Sequence, residues 1–142
     1  MTRVIFYSKL ADKQLALANL VQQALQKRHQ VTILAENEEA ANALSRAIWL
    51  SSATGFIPNA LTLHPLAKET PVVIDWQEKT LFQDDILINL SQQQVVAFSR
   101  FRELIELVGN AEDDKMAARA RYKFYRDRGY EIKHLEQAQL AN

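Results

Sequence analysis

Apolar residues recur along the first fifty positions in two alternating rhythms. Val4, Ile5, Phe6 and Tyr7 form a short β-prone run, and beyond Asp12 the apolar positions 17, 20, 21, 24 and 25 return at helical spacing. Asp12 offers the side-chain acceptor that a helix N-cap uses. A second run, Val31 to Ala35, leads to Asn37, then to Glu38 and Glu39 where they suit a helix N-terminus, then to apolar positions 41, 44 and 48. Strand, helix, strand, helix within about fifty residues predicts a parallel sheet whose right-handed crossovers lay helices on its faces.

After Leu50 the pattern changes. Ser51 to Gly55 reads as a helix stop, and Pro58, Pro65 and Pro71 space out a largely irregular stretch. Two buried strands are predicted at Val72–Trp76 and Ile86–Leu90. Between Val95 and Val108 two periods compete: Phe98, Phe101 and Ile105 suit a helix, and Leu104 to Val108 suits a strand. The reading adopted is a short helix or turn running into a strand. From Glu112 to Arg128 the alanines, an acidic first turn and basic last turns predict a helix that Gly129 ends. The expected fold is therefore a single three-layer α/β domain over residues 1–129, a mainly parallel sheet covered by helices in a Rossmann-like topology, with residues 130–142 as a loosely attached tail. No internal repeat or linker divides it.

Composition narrows the chemistry. The 142 residues, 48% of them apolar, suffice for a core, and the absence of cysteine excludes disulfides, thiolate zinc sites, iron–sulfur clusters and a cysteine nucleophile. The start MTRVIFYSKL has no signal-peptide h-region and no apolar run is long enough to span a bilayer, so a cytoplasmic protein without membrane contact is expected. Gly55, Gly109 and Gly129 are isolated; neither G-x-G-x-x-G nor a Walker A sequence occurs, and Ser8-Lys-Leu-Ala-Asp12 occupies the first strand-to-helix turn instead. His29, His64 and His134 stand at no metal-ligand spacing and read as surface or loop residues, Asp84-Asp85 reads as the solvated start of a strand, and no serine has a nucleophile-elbow context. The expectation is no catalytic residue, no cofactor and no metal; a small nucleotide-binding enzyme or hydrolase stays open as an alternative.

Net charge is zero, 17 basic against 17 acidic residues, but it is unevenly distributed. Lys115, Arg119, Arg121, Lys123, Arg126 and Arg128 stand against the single acid Asp127. At 100° per residue Lys115, Arg119, Tyr122 and Arg126 fall on one helical stripe, and Ala117, Ala120 and Phe124 are expected to form the buried side. Like charges four residues apart cost a helix about 0.2–0.5 kcal/mol per pair, a small penalty consistent with a use. The plain alternative is a solvated helix whose basic end complements the macrodipole. The sharper reading is a docking surface for an acidic segment, guanidinium groups holding carboxylates and Tyr122 accepting a hydrophobic side chain. Single-stranded nucleic acid is the competing ligand, with Tyr122, Phe124 and Tyr125 as stacking candidates, although zero net charge weighs against it. A second feature, Trp49 followed by Phe56, Ile57 and Pro58, either folds back over the core or forms the apolar anchor of a protein interface.

An ordered set of motifs carries a resemblance over most of residues 3–130: the opening I-F-Y strand, the A-x-x-L-x-x-A-I-W helix end, F-I-P-N, D-I-L-I-N-L and, most specific, A-R-A-R-Y-K-F-Y-R-D-R-G-Y from Ala118 to Tyr130. The sequence resembles the chi-subunit family of the bacterial DNA polymerase III clamp-loader assembly. The resemblance implies a non-enzymatic adaptor that pairs with the psi subunit, and through it with the clamp loader, and that binds the acidic, hydrophobic-ended C-terminal tail of single-stranded-DNA-binding protein, touching DNA only indirectly. It carries the tail site onto Val108, Lys115, Arg119 and Tyr122, with Arg119 on the terminal carboxylate, Lys115 on tail aspartates, and Val108 with Tyr122 around the last aromatic side chain. Arg126, added from its place on the same stripe, supplies long-range attraction. The psi-facing surface maps to Trp49, Phe56 and Pro58; in some relatives an iron–sulfur DNA-repair helicase uses that surface. The sequence departs from the family pattern at Gly109, between His64 and Pro71, and after Tyr130.

Overall fold

The structure, a computed structural model, describes residues 2–51, 59–61, 70–77, 80–92 and 95–136, with the side chains of residues 49–51 and 59 outside the description. The chain runs β1 (Arg3–Leu10), α1 (Lys13–Gln26), β2 (Val31–Leu34), α2 (Glu38–Ser51), β3 (Asn59–Leu61), β4 (Val72–Asp75), β5 (Ile86–Asn89), a 3-10 helix (Val96–Arg100), β6 (Glu103–Gly109), α3 (Glu112–Asp127) and β7 (Ile132–Glu136). The strands form one seven-stranded sheet in the order β3-β4-β2-β5-β6-β1-β7, every pairing parallel. The α/β architecture and parallel sheet expected from the alternating rhythm are what the chain adopts.

Local chemistry explains the element ends. Asp12 stands in extended backbone and its carboxylate accepts the Leu15 N–H at 3.1 Å, while Asn37 Oδ1 accepts the Ala40 N–H at 2.8 Å. α3 stops where Gly129 takes φ +82°, a left-handed conformation open to glycine without steric cost, and the Tyr130 N–H closes back onto the Tyr125 carbonyl at 3.2 Å. The turn-into-strand reading of 95–108 holds as the 3-10 helix followed by β6.

Two expectations are corrected. Part of the stretch expected as a loose tail is ordered: Ile132–Glu136 pair with β1 as the parallel edge strand β7, with Val4 opposite Ile132 and Phe6 opposite His134. Within the stretch read as irregular, Asn59–Leu61 pair with β4 as the other edge strand. Both strands are short and depend on the open edge that a longer neighbour presents, a nonlocal condition that periodicity does not report.

The two faces of the sheet differ. Side chains alternate across a strand, so Val31 and Ile33, Val72 and Ile74, Ile86 and Ile88, and Ile105 and Leu107 share one face, where they pack against Leu17, Leu20, Val21 and Ala24 of α1 and Ala41, Leu44 and Ile48 of α2. On the opposite face Val4, Phe6, Leu34, Leu87, Leu104 and Val108 pack against the 3-10 helix and α3. By the same alternation that second face also receives the buried polar residues Thr32, Asp75, Asn89 and Glu106. α3 packs over β6 and, through Tyr122 and Tyr125 on Phe6, reaches β1.

Candidate functional site

A groove of about 660 Å³ lies between α3 and the β6-β1-β7 side of the sheet. Phe6, Val108, Ala118 and Tyr122 give it an apolar lining; Lys9, Lys115, Arg119, Lys123 and Arg126 surround that lining with positive charge; Ser8, Gly109 and His134 complete the wall. The four residues that the resemblance assigned to a tail site, Val108, Lys115, Arg119 and Tyr122, and Arg126, added from the same stripe, all line this one groove. Tyr122 stacks obliquely on Phe6, ring centroids 5.4 Å apart, and remains 37% exposed, so the floor presents an aromatic edge to any occupant.

The cations differ in what holds them. Lys9 pairs with Glu136 at 3.1 Å and Arg126 with Asp127 at 3.5 Å. Among the described residues no carboxylate lies within ion-pair distance of Lys115, Arg119 or Lys123. Charges left unpaired around an apolar lining suit a ligand that is anionic and apolar at once.

The buried side of α3 is not the expected one. Ala118, Arg121 and Tyr125 point inward, with Asp114 a turn earlier, whereas Ala117 and Phe124 are half-buried and Ala120 is exposed. The reason lies in β6. Glu106, fully buried, accepts from Arg121 Nε at 3.1 Å and Asn89 Nδ2 at 3.2 Å on one oxygen and from the Tyr125 hydroxyl at 2.7 Å on the other, and an Arg121 terminal nitrogen donates to the Gln92 carbonyl at 3.2 Å. Burial pushes the Glu106 carboxyl above its ordinary range, and the Arg121 guanidinium acts against that rise. A charge on the inner face of a helix is tolerated when a counter-charge and hydrogen bonds meet it there. The helix sequence alone holds no sign of Glu106, and the inversion of the basic residue Arg121 was missed for that reason. It also removes Tyr125 from the stacking candidates, since that ring is fully buried, while the Phe124 ring is covered by the Arg128 guanidinium at 3.6 Å.

A second network fixes the end of the groove. Asp114 Oδ2 accepts the Gly109 N–H at 2.6 Å and the Lys13 ammonium at 3.2 Å, tying β6, α1 and α3 together. A Cβ at position 109 would stand 3.2 Å from that oxygen and 3.3 Å from Lys13 Cδ, so glycine permits the close approach. This accounts for one of the departures noted in the sequence.

Other sequence candidates fall elsewhere. His29 Nδ1 and the Gln30 N–H both meet Asp85 Oδ2 at 3.0 Å, so Asp85 closes the loop before β2 rather than standing in solvent. His134, by contrast, stands on the groove wall, where it contacts the Ser8 hydroxyl at 2.6 Å. Phe56 and Pro58, the side chain of Trp49, and His64 lie outside the described residues. No described helix is long and apolar enough to cross a membrane.

An α/β sheet carrying an apolar, cation-rimmed groove has the surface chemistry of a docking site. The comparisons with known proteins name the class more narrowly. A family model described as "DNA polymerase III chi subunit, HolC" matches residues 1–133. The chain belongs to that family, a non-catalytic accessory subunit of the DNA polymerase III holoenzyme in DNA replication. It is 33% identical to the DNA polymerase III subunit chi of Escherichia coli (strain K12) over 103 residues, 72% of this chain and 70% of the relative. It is 30% identical to the Pseudomonas aeruginosa subunit over 136 residues, covering 93% and 94% of the two chains. The Haemophilus influenzae subunit is 32% identical over 116 residues, 80% of each chain.

Proposed function

We propose that this chi-family protein is an adaptor whose α3 groove binds the acidic C-terminal tail of single-stranded-DNA-binding protein, while a separate surface containing Trp49, Phe56 and Pro58 docks the psi subunit and so joins the clamp loader. The observation that supports the groove reading is the set of unpaired cations around an apolar floor: Arg119 is suited to hold a terminal carboxylate in two parallel hydrogen bonds, Lys115 to meet preceding aspartates, and Val108 with Tyr122 to receive an apolar side chain. Arg126 adds attraction from the groove's far end. In this reading the protein works in the cytoplasm and reaches DNA through its partners, with an iron–sulfur DNA-repair helicase as a second user of the psi-facing surface.

Fluorescence anisotropy of a labelled acidic peptide ending in a hydrophobic residue with a free carboxylate tests the groove. Micromolar binding that weakens with salt is expected, and Arg119→Ala is expected to weaken it by about tenfold or more, the scale of a charge-assisted bidentate contact. Amidating the peptide's C-terminus should have a similar effect. Peptide binding indifferent to both changes, or tight binding of a bare oligonucleotide at physiological salt, would overturn the reading. Phe56→Ala should lose psi in a pull-down and keep the peptide.

A further inference from the structure

The segment Ser8 to Asp12 was set aside above as lacking a phosphate-binding pattern, yet two of its residues, Ser8 and Lys9 at the end of β1, line the groove together with α3. β1 reaches Leu10 opposite Gly109 after leaving Tyr7 opposite Leu107, so three steps on β1 match two on β6 and the strand carries one extra residue. Lys9 lies within that irregularity at φ +57°, the left-handed region that a side chain with a Cβ adopts at a cost. Such bulges bend a strand and re-aim a side chain, and strained backbone concentrates at binding sites. Here it brings Lys9 to the groove, 69% exposed, where the 54% exposed Glu136 of β7 meets its ammonium at 3.1 Å.

We infer that Lys9 is a further specificity residue of the groove, one that receives a carboxylate of the acidic peptide opposite the α3 cations, and that Glu136 occupies it until the peptide arrives. The inference rests on the groove's binding an acidic peptide. A cation wall on β1 facing cations on α3 lets a peptide with carboxylates on both sides of its chain satisfy both walls, whereas a peptide with acids on one side satisfies only α3. Glu136 is an intramolecular competitor: it neutralises Lys9 in the free protein and must yield it on binding. Exposed ion pairs are weak, so the exchange is nearly balanced and the competitor is readily displaced.

The same anisotropy titration on the full chain tests this, with wild type and Arg119→Ala run alongside. Lys9→Met should weaken peptide binding about two- to fivefold, and Glu136→Gln should strengthen it by about twofold, the range of an exposed ion pair. A pair serving only to hold β7 against β1 would move both variants in the same direction. In Lys9→Met/Glu136→Gln the gain from Glu136→Gln should vanish, because the competitor has nothing left to occupy; additive effects would mean that Glu136 acts only through its general field, and would overturn the inference. Lys9→Gly separates folding from binding: it relieves the positive φ, so the melting temperature should rise while peptide affinity falls. If wild type binds, Arg119→Ala loses binding and the Lys9 variants match wild type, the inference fails and the groove reading stands. If wild type itself does not bind, the groove reading fails first.

Discussion

The two faces of the sheet are built from the same strands by opposite means. Against α1 and α2 the strands present valine, isoleucine and leucine, and that interface is a continuous aliphatic layer. On the opposite face the alternate positions of those strands carry Thr32, Asp75, Asn89 and Glu106; Gln83 answers Thr32, Thr80 answers Asp75, and α3 answers Glu106 with Arg121 and Tyr125. An aliphatic layer sets how strongly helices adhere but specifies rotation and register loosely. A buried charge pair with shared hydrogen bonds admits one arrangement, since any rotation of α3 strands Glu106 or Arg121 without a partner. That arrangement turns the flanking residues Arg119 and Tyr122 toward the groove, so the polar face orients the groove's lining and the aliphatic face anchors the rest.

The comparison is broken most forcefully by Arg121→Met. Removing one partner of a buried pair costs about 3–5 kcal/mol, and the cost here should depend on pH. A carboxyl whose folded pKa lies above its unfolded value takes up protons on folding, so its contribution is most favourable below the ordinary glutamate range and declines as pH rises through the raised value. Without Arg121 the Glu106 carboxyl rises further, and the deficit of the variant, read by urea denaturation, should grow from pH 5 to pH 8. Adding Glu106→Gln removes the unpaired charge and should recover part of the loss and flatten the pH dependence. A deficit equal at both pH values would mean that Glu106 and Arg121 are not coupled.

On the other face Leu17→Ala should cost about 3 kcal/mol from lost burial and the cavity left behind, with no pH dependence beyond that of wild type. Corrected for the fraction folded, its peptide affinity should equal that of wild type, whereas Arg121→Met should lose affinity as well as stability. Equal affinity losses in the two variants would erase the distinction between an anchoring and an orienting face. The smallest effect belongs to Asn37→Ala, which removes the α2 cap at about 1 kcal/mol and leaves the groove untouched.

The faces also differ in how legible they were. α1 and α2 bury nearly all the positions that helical spacing singles out, Leu17, Leu20, Val21 and Ala24 in one, with Leu25 half-buried, and Ala41, Leu44 and Ile48 in the other. For α3 the same reasoning chose Ala117, Ala120 and Phe124 as the inner side and was wrong by one residue at each, Ala118, Arg121 and Tyr125 being buried instead, because it counted Arg121 as solvated. The outer stripe Lys115, Arg119, Tyr122 and Arg126 nevertheless stays together, lining one groove, since i, i+4 and i+7 neighbours share a face whichever face is buried. Lys9 of β1 carried no such signal: its place depends on the register between β1 and β6, residues nearly a hundred positions apart in the chain.

What the sequence by itself determined about this protein is therefore its local order. The alternation of β-prone runs with 3.6-residue patterns, the caps at Asp12 and Asn37, the stop at Gly129 and the basic stripe of α3 all follow from interactions within a few residues. The tertiary structure alone decided which edge of the sheet recruits Asn59–Leu61 and Ile132–Glu136, which side of α3 meets β6, and that Lys9 of β1 lines the same groove as the α3 cations. Those outcomes depend on unsatisfied partners far away in sequence: an open strand edge, and a buried carboxylate at Glu106 whose need for Arg121 overrides the exposure that a charged residue ordinarily prefers.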